Sequence, residues 1–312
     1  MSQAGAVAAT VGGVLLVVAA LRDIFSTLWH PRGFGTVCRV VMTCCWRVGK
    51  LDRRERRTEL AGPCGMVLTI ASWSVMVVGG FALIYWPQLP EGFYFSSPLQ
   101  PATSADLGNA AYLSVVAVGT LGLGDVMPAD GWMRLLVPVE ALIGFVLLTA
   151  AVSWGLQVYP ALSRRRGLAL QLSSDRRQDL VALVGEQAGE QAGEQSSGFV
   201  AEHLATLSSG LGGVHVDLLQ YAETYYFREH DPELSLAATL PVAVQLADAA
   251  ACSPSAQVRH AGGLLQDAVS GLCRSLDQRF LGLGDDAAAV GGYEQRVLRA
   301  FARDHQQPLQ EP

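Results

Sequence analysis

The sequence predicts an all-α integral membrane protein that carries a separate helical domain after its last membrane span. Half of the 312 residues are hydrophobic, and charged side chains are nearly absent from three long windows. A helix needs roughly 17 to 25 mostly apolar residues to cross a bilayer, so each window is a candidate span. Residues 161–312 are more polar, and their Ala and Leu residues recur at helical spacing, which indicates a water-exposed all-α domain.

The first apolar window covers residues 5–21 and is followed by Arg22 and Asp23. A secretory signal peptide is the alternative interpretation, but no basic side chain precedes the window, as one would in such a peptide. We therefore expect a retained transmembrane helix, which Ile24 and Phe25 lengthen and which also includes Arg22, because its long side chain can reach the interface.

The second predicted span covers residues 61–86, and the third covers residues 132–160. The third carries only two charged side chains, Arg134 and Glu140. Because proline lacks an N–H and clashes with the preceding turn, we expect Pro160 to end the third helix. These spans divide the chain into three regions: residues 1–60, which contain the first span, residues 61–160, which contain the second and third spans, and a tail at residues 161–312.

Basic residues give the orientation of the spans. They are concentrated between the first and second spans, whereas residues 87–131 contain no Lys or Arg. Loops rich in Lys and Arg stay in the cytosol. We therefore expect a multi-pass protein of the plasma (inner) membrane, with its N-terminus outside and its tail cytosolic. The amphipathic stretch at residues 38–48 is expected to lie along the inner leaflet and to contact membrane lipids.

The outward loop contains a short apolar helix, predicted at residues 106–118, which is too short to span the membrane. Ser104 or Asp106 can cap its start. The segment that follows, residues 120–125, reads TLGLGD and cannot be helical throughout. Non-helical backbone at membrane depth is tolerated only where it is buried in protein or lines a water-filled cavity, so we expect a cavity-lining role.

The run from Thr120 to Asp125, followed by Pro128 and placed between a short helix and a long span, resembles the potassium-channel signature TVGYGD. The resemblance covers roughly residues 60–160. It is nearest to bacterial potassium channel family proteins with one extra N-terminal helix, and the segment RDIFSTLWHPRG after the first span is also similar to that group. The resemblance implies an outer helix (61–86), a pore helix (106–118), a filter (120–125) and an inner helix (132–160).

The resemblance also implies roles for individual residues. It makes Asp125 the acid of the outer mouth and Gly144 a hinge of the gate. The filter positions that it places on the ion path, with K⁺ bound at the first four, are Thr120, Leu121, Gly122, Leu123 and Gly124. A filter of this kind is built from four strands and the chain supplies one, so the resemblance implies a homotetramer as its partner state.

Three positions depart from the family pattern. Leu123 stands where the family has an aromatic residue, Gly119 where it has Ser or Thr, and Val116 where some members have a Glu behind the filter. These departures predict a less tightly braced filter. A weakly selective cation channel, and a membrane-anchored sensor or interaction protein with a vestigial pore, are therefore the alternatives to a potassium-selective channel.

Glu140 is an ionisable residue inside a predicted span, which makes it a candidate modulatory acid. It can lie behind the filter, face the cavity, or hydrogen-bond to a neighbouring helix. Gly144 lies one turn further along the same helix. It can let the helix bend, because glycine lowers local helix stability by ~1 kcal/mol relative to alanine, or it can allow close helix packing.

The tail begins with a Gly/Glu/Gln linker predicted at residues 185–195. Helices are then predicted at residues 199–211, 214–228, 237–251, 257–280 and 293–303. The letters LGLGD recur at residues 281–285, where a turn is expected. We find no strand followed by GxGxxG, no metal-ligand spacing and no paired acids or triad, so neither an enzyme nor a cofactor is expected. The net charge of −6 argues against a nucleic acid partner.

Overall fold

The computed structural model describes residues 2–30, 33–51, 59–95, 106–186, 194–284 and 292–308. These residues form two compact units, one made of residues 1–47 and 63–157 and the other of residues 48–62 and 158–312. Three described helices are long and apolar enough to cross a membrane. The prediction of a helical membrane protein is therefore confirmed.

The first unit contains α1 (Gln3–Leu28), most of α2 (Thr36–Leu51), α3 (Ala61–Tyr85), a 3₁₀ turn (Trp86–Gln88), β1 (Phe93–Phe95), α4 (Leu107–Val118), β2 (Val126–Pro128) and the first part of α5 (Met133–Arg177). The three long helices α1, α3 and α5 correspond to the predicted spans. The two strands pair antiparallel, with Tyr94 opposite Met127. The sequence did not predict this small sheet, because three-residue strands are too short to show alternation.

Helix α1 packs directly on α3 through two glycines. A Cβ atom on Gly13 would overlap the carbonyl oxygen of Gly80, and one on Gly80 would lie 2.8 Å from the carbonyl oxygen of Gly13. Small residues at such crossings let two membrane helices approach closely. Val17 and Ala20 of α1 are accordingly buried in the same apolar core as Phe81.

Helix α5 continues past Pro160, so the predicted end at residue 160 is wrong. It runs unbroken to Arg177, although proline inside a helix costs ~3 kcal/mol. The compensating contacts come from three arginines in the next turn, which bind other parts of the second unit. Arg164 binds Asp217, Arg165 binds the carbonyl groups of Thr224 and Phe227, and Arg166 binds Glu229.

The second unit contains the rest of α5, α6 (Leu180–Glu186), α7 (Glu194–Gln220), a 3₁₀ turn (Ala222–Tyr226), α8 (Leu236–Ala251), α9 (Ala256–Leu276), a π-helical turn (Asp277–Leu281) and α10 (Tyr293–Asp304). Of the predicted linker, residues 187–193 lie outside the described part of the chain. Helix α7 joins the helix predicted at 199–211 to the first part of the helix predicted at 214–228, and it ends at Gln220. Burial of Leu207, Leu211 and Leu218 offsets the ~1 kcal/mol that each glycine at 212 and 213 costs a helix.

An aromatic cluster fills the second unit near α10. The ring of Tyr225 stacks on Phe280 at 4.0 Å between centroids and packs against His305 at 5.0 Å. The Tyr225 hydroxyl donates to Asp304 at 2.7 Å, and Asp304 also accepts a hydrogen bond from Lys50. Lys50 is the only lysine of the chain. The structure gives it a specific partner that no local sequence pattern indicates.

We expect His305 to make the stability of this protein pH-dependent. Burial, and secondarily the charge of Arg165, lower the pKa of His305 to about 3. Its unfolded value is about 6.5, so the unfolded chain binds more protons between those values, and stability falls as the pH drops below about 6.5. We expect His305→Phe to flatten the fall in melting temperature between about pH 7.5 and pH 5, removing up to about 1.4 kcal/mol per pH unit.

Thermal unfolding of the full chain at several pH values, followed by circular dichroism, measures this effect. The exposed histidine His260 provides the matched control, and His260→Phe should keep the wild-type pH dependence. An unchanged pH slope in His305→Phe would contradict the assignment.

Candidate ion pore

The pore helix predicted at 106–118 is α4. Asp106 caps it, accepting a hydrogen bond from the backbone N–H of Asn109 at 2.8 Å, whereas Ser104 lies outside the described residues. Its buried side includes Leu113 and Ser114. Helix α4 ends at Val118, so the negative end of its dipole lies beside the segment that follows.

The backbone of the predicted filter alternates in conformation. Thr120, Gly122 and Gly124 have φ angles of 54°, 55° and 77°, while Leu121 and Leu123 keep negative φ. Successive carbonyl groups of an ordinary strand point in opposite directions, and a left-handed residue at every second position brings them to the same side. The glycines adopt this conformation at little cost, whereas Thr120 adopts it under strain. The sequence did not predict a left-handed Thr120.

The second LGLG segment has the same backbone pattern in a different setting. Gly282 and Gly284 have φ angles of 61° and 81°. They follow the π-helical turn of the second unit, and the N–H of Leu283 donates to the Asp277 side chain at 2.6 Å. This segment ends a helix at the place where the sequence predicted a turn. An alternating backbone is therefore not sufficient for a filter, and the pore helix before residues 120–125 distinguishes the first copy.

Asp125, the predicted acid of the outer mouth, is held by the pore helix. Its carboxylate accepts a hydrogen bond from the Tyr112 hydroxyl at 2.6 Å, and a second from the backbone N–H of Val126 at 3.1 Å. No local sequence pattern pairs Tyr112 with Asp125, which lies 13 residues away. The contact ties the end of the filter segment to the helix that precedes it.

Removing the Tyr112 hydroxyl should loosen this end of the segment. We expect Tyr112→Phe to lower the ratio of K⁺ to Na⁺ flux in proteoliposomes, because Asp125 loses the hydrogen bond that joins it to the pore helix while the ring remains. Asp125→Asn should act in the same direction. Tyr94 lies exposed in β1, and Tyr94→Phe should leave the flux ratio unchanged. A flux ratio in Tyr112→Phe equal to that of the wild type would show that this contact has no part in the pore.

Glu140 is fully buried and bonded to two neighbouring helices. Its carboxyl group accepts hydrogen bonds from the Tyr85 hydroxyl of α3 at 2.6 Å and from the Ser114 hydroxyl of α4. Tyr85 and Ser114 are also fully buried. Of the three positions open to Glu140 from the sequence, the structure shows the third, a side chain that is hydrogen-bonded to neighbouring helices. We call these three residues the Glu140 cluster, which joins the outer, pore and inner helices.

Gly144 lies against the end of the pore helix. A Cβ atom at this position would overlap the carbonyl oxygen of Val118 and lie 2.9 Å from its Cα. Helix α5 is continuous through this position. The structure therefore gives Gly144 a packing role, the second of the two interpretations that the sequence allowed.

One face of the inner helix is polar on the C-terminal side of Gly144. Thr149, Ser153 and Gln157 recur at four-residue spacing, are exposed, and line a recess of about 260 Å³ together with Phe145 and Trp154. Hydroxyl and amide groups can meet water at little cost, and the Thr149 hydroxyl also donates to the Phe145 carbonyl group at 2.9 Å.

The filter segment and the inner helix also expose large apolar side chains. Leu121 and Leu123 are 61% and 60% exposed. Further exposed residues on α5 are Leu135, Val139, Leu142, Phe145, Val146 and Leu148. An apolar area this large marks a surface that meets lipid or protein.

Comparison with known proteins agrees with this geometry. Residues 71–159 match the model of a family described as ion channels. The uncharacterized membrane protein YdjJ of Bacillus subtilis (strain 168) is 28% identical over 167 residues, which cover 53% of this chain and 48% of the relative. The chain thus spans about half the length of that relative. No solved structure matches. The matched residues contain most of α3, all of α4, the segment 120–125 and the first part of α5, so this part of the chain is similar to the ion channel family.

Proposed function

We propose that four copies of this chain surround a potassium-selective pore, lined by the backbone carbonyl groups of Thr120, Leu121, Gly122 and Leu123. The observation that carries the proposal is the alternation of left-handed and ordinary φ at residues 120–124, directly after a short capped helix in the part of the chain that is similar to the ion channel family. Rings of carbonyl groups replace the hydration shell of K⁺ in such filters.

The ion is the cargo, and it moves passively down its gradient. Carbonyl dipoles compensate for the lost water, the C-terminal end of α4 adds partial negative charge, and Asp125 concentrates cations at the mouth. Gly124 turns the chain out of the filter. The exposed polar side chains Thr149, Ser153 and Gln157 are proposed to line the water-filled cavity below it. The proposal requires no covalent chemistry and no cofactor.

The tetramer follows from the single filter strand of each chain. A carbonyl ring needs several strands around one axis, and closed point-group symmetry is the usual solution for identical subunits. Leu121 and Leu123 are more than half exposed in one chain, and neighbouring subunits would cover them. We propose the orientation that the basic residues indicate, with the N-terminus outside, the filter near the outer face and residues 161–312 in the cytosol.

A weakly selective cation channel is the second candidate. The side chain of Leu123, which replaces an aromatic residue, is 60% exposed and leaves the filter less braced within its own chain. A membrane-anchored interaction protein with a closed, vestigial pore is the third candidate, because the large second unit would then perform the function.

Ion flux into proteoliposomes of the purified full chain separates the three candidates. Flux of K⁺ but not Na⁺, blocked by Ba²⁺, is expected if the proposal holds, and flux of both ions would favour the second candidate. Absence of flux from a folded tetramer would favour the third. Native mass spectrometry in mild detergent should show a tetramer, and a dimer would contradict the proposed architecture.

A further inference from the structure

The end of α1, Gly35 and the first turn of α2 form a joint between the two helices. Asp23, which is 6% exposed, accepts hydrogen bonds from the backbone N–H groups of Val37 at 2.9 Å and Cys38 at 3.4 Å. It thereby caps α2 from the end of α1. The same carboxylate accepts a third hydrogen bond from the indole N–H of Trp73 in α3 at 2.8 Å. One buried acid thus fixes the start of α2 to two membrane helices.

Thr27 and Gly35 leave this joint little freedom. The Thr27 hydroxyl donates to the Asp23 carbonyl group at 2.9 Å and accepts from the Gly35 N–H at 3.2 Å. A Cβ atom on Gly35 would overlap the Thr27 hydroxyl and lie 2.7 Å from a carboxylate oxygen of Asp23. A displacement of the first turn of α2 must therefore also displace Asp23 or break these hydrogen bonds.

Trp73 connects the joint to the inner helix. Its ring packs against the ring of Trp154, with centroids 5.6 Å apart, and both rings are buried. Trp154 follows Ser153 and lines the same recess as Thr149 and Gln157. Trp73 and Trp154 therefore connect the cap of α2 to the helix that is proposed to line the cavity, since Trp154 is a residue of that helix.

The exposed face of α2 has the chemistry of a membrane-surface helix. Arg39, Val40, Cys44, Arg47 and Val48 are exposed at three- to four-residue spacing, and we call these five residues the α2 outer face. The opposite side of the helix is buried at Cys38, Met42 and Trp46. Helix α2 contains no acidic residue and directly follows a membrane-spanning helix. Basic residues interleaved with apolar ones fit the headgroup region of an anionic bilayer.

We propose that the α2 outer face binds anionic phospholipid. We also propose that Asp23 and Trp73 transmit a displacement of α2 to the inner helix, so that bound lipid changes the open fraction of the pore. The arginines pair with headgroup phosphates while Val40 and Val48 enter the acyl boundary. The binding step needs only the membrane location of the protein, whereas the coupling step rests on the proposed function.

Native mass spectrometry of the full chain with phosphatidylglycerol or phosphatidylcholine tests binding. We expect preferential retention of phosphatidylglycerol, and a loss of about fivefold in affinity for each arginine removed by Arg39→Gln and Arg47→Gln. Arg299 and Arg303 are exposed in α10, and Arg299→Gln with Arg303→Gln is the matched control. Equal retention of both lipids, or unchanged binding in the α2 double variant, would overturn the binding step without bearing on channel activity.

Flux in vesicles of phosphatidylcholine with increasing phosphatidylglycerol tests coupling. Wild-type flux should change with the anionic fraction, and the α2 double variant should lose that dependence. Trp73→Phe keeps a ring against Trp154 but removes the donor to Asp23, so it should bind lipid as the wild type does and lose the lipid dependence of flux. If the flux of Trp73→Phe still depends on lipid composition, the coupling route through Trp73 is refuted. If wild-type flux does not depend on lipid composition, coupling is refuted altogether. The binding result still decides the first step if no flux is seen.

Discussion

Replacing Gly122 with alanine is expected to abolish K⁺ flux while the protein still assembles in the membrane. Gly122 has a φ angle of 55°, and a side chain in the left-handed region costs ~1–2 kcal/mol. Among the described residues, no neighbouring atom would lie within 4 Å of the added methyl group, so the strain is in the backbone. The proposed ring contains four such positions, and relief of the strain turns carbonyl groups away from the ion path.

The chain supplies its own matched control for this variant. Gly282 occupies the same letters, LGLG, and the same left-handed conformation at 61°, also with open space around it. Gly282→Ala introduces the same local strain in the second unit and should leave flux close to the wild-type rate. Flux assays of both variants in proteoliposomes, normalised to tetramer content, give the comparison. Equal flux from Gly122→Ala and the wild type would remove residues 120–124 from the ion path.

Glu140→Ala is expected to have the second-largest effect, lowering both thermal stability and flux. The variant leaves two fully buried hydroxyl groups, those of Tyr85 and Ser114, without their common acceptor. Each unsatisfied group costs about 1–3 kcal/mol. Because Ser114 belongs to the helix that leads into the filter segment, the pore helix should become mobile and K⁺ flux should fall by more than about tenfold, equivalent to 1.4 kcal/mol.

Glu140→Gln separates the shape of this side chain from its charge. Glutamine has nearly the same volume, and its amide can accept from one hydroxyl group and donate to the other. We expect it to recover most of the stability lost in Glu140→Ala. Melting temperature and flux measured together distinguish the outcomes, and wild-type values for both in Glu140→Ala would show that the Glu140 cluster does not brace the pore helix.

The sequence predicted those parts of the fold that depend on local patterns. Residues 120–125 were located because a short apolar helix and two long spans surround them, and Asp106 was recognised as a cap from its position before that helix. Of the three residues in the Glu140 cluster, the sequence indicated only Glu140 as a functional candidate. Its partners Tyr85 and Ser114 lie 55 and 26 residues away, and no periodic pattern links them.

Tertiary contacts explain what local rules missed. Because proline disfavours the interior of a helix, the inner helix was predicted to end at residue 160. The hydrogen bonds of Arg164, Arg165 and Arg166 within the second unit outweigh this local cost. The sequence indicated no partner for Lys50, because Asp304, to which it binds, lies 254 residues away. The left-handed φ of Thr120 also contradicts the preference of a β-branched residue. Thr120 is the exception that lies within the proposed pore, where local preference is expected to give way.

The reversal potential of the purified channel, recorded in a planar bilayer with K⁺ on one side and an equal concentration of Na⁺ on the other, tests the central claim most directly. A pore lined by the carbonyl groups of Thr120 to Leu123 predicts a Ba²⁺-sensitive current whose reversal potential lies far toward the K⁺ equilibrium potential. A current that reverses near zero, or a folded tetramer that carries no current in any lipid composition, would contradict a potassium-selective filter at these residues.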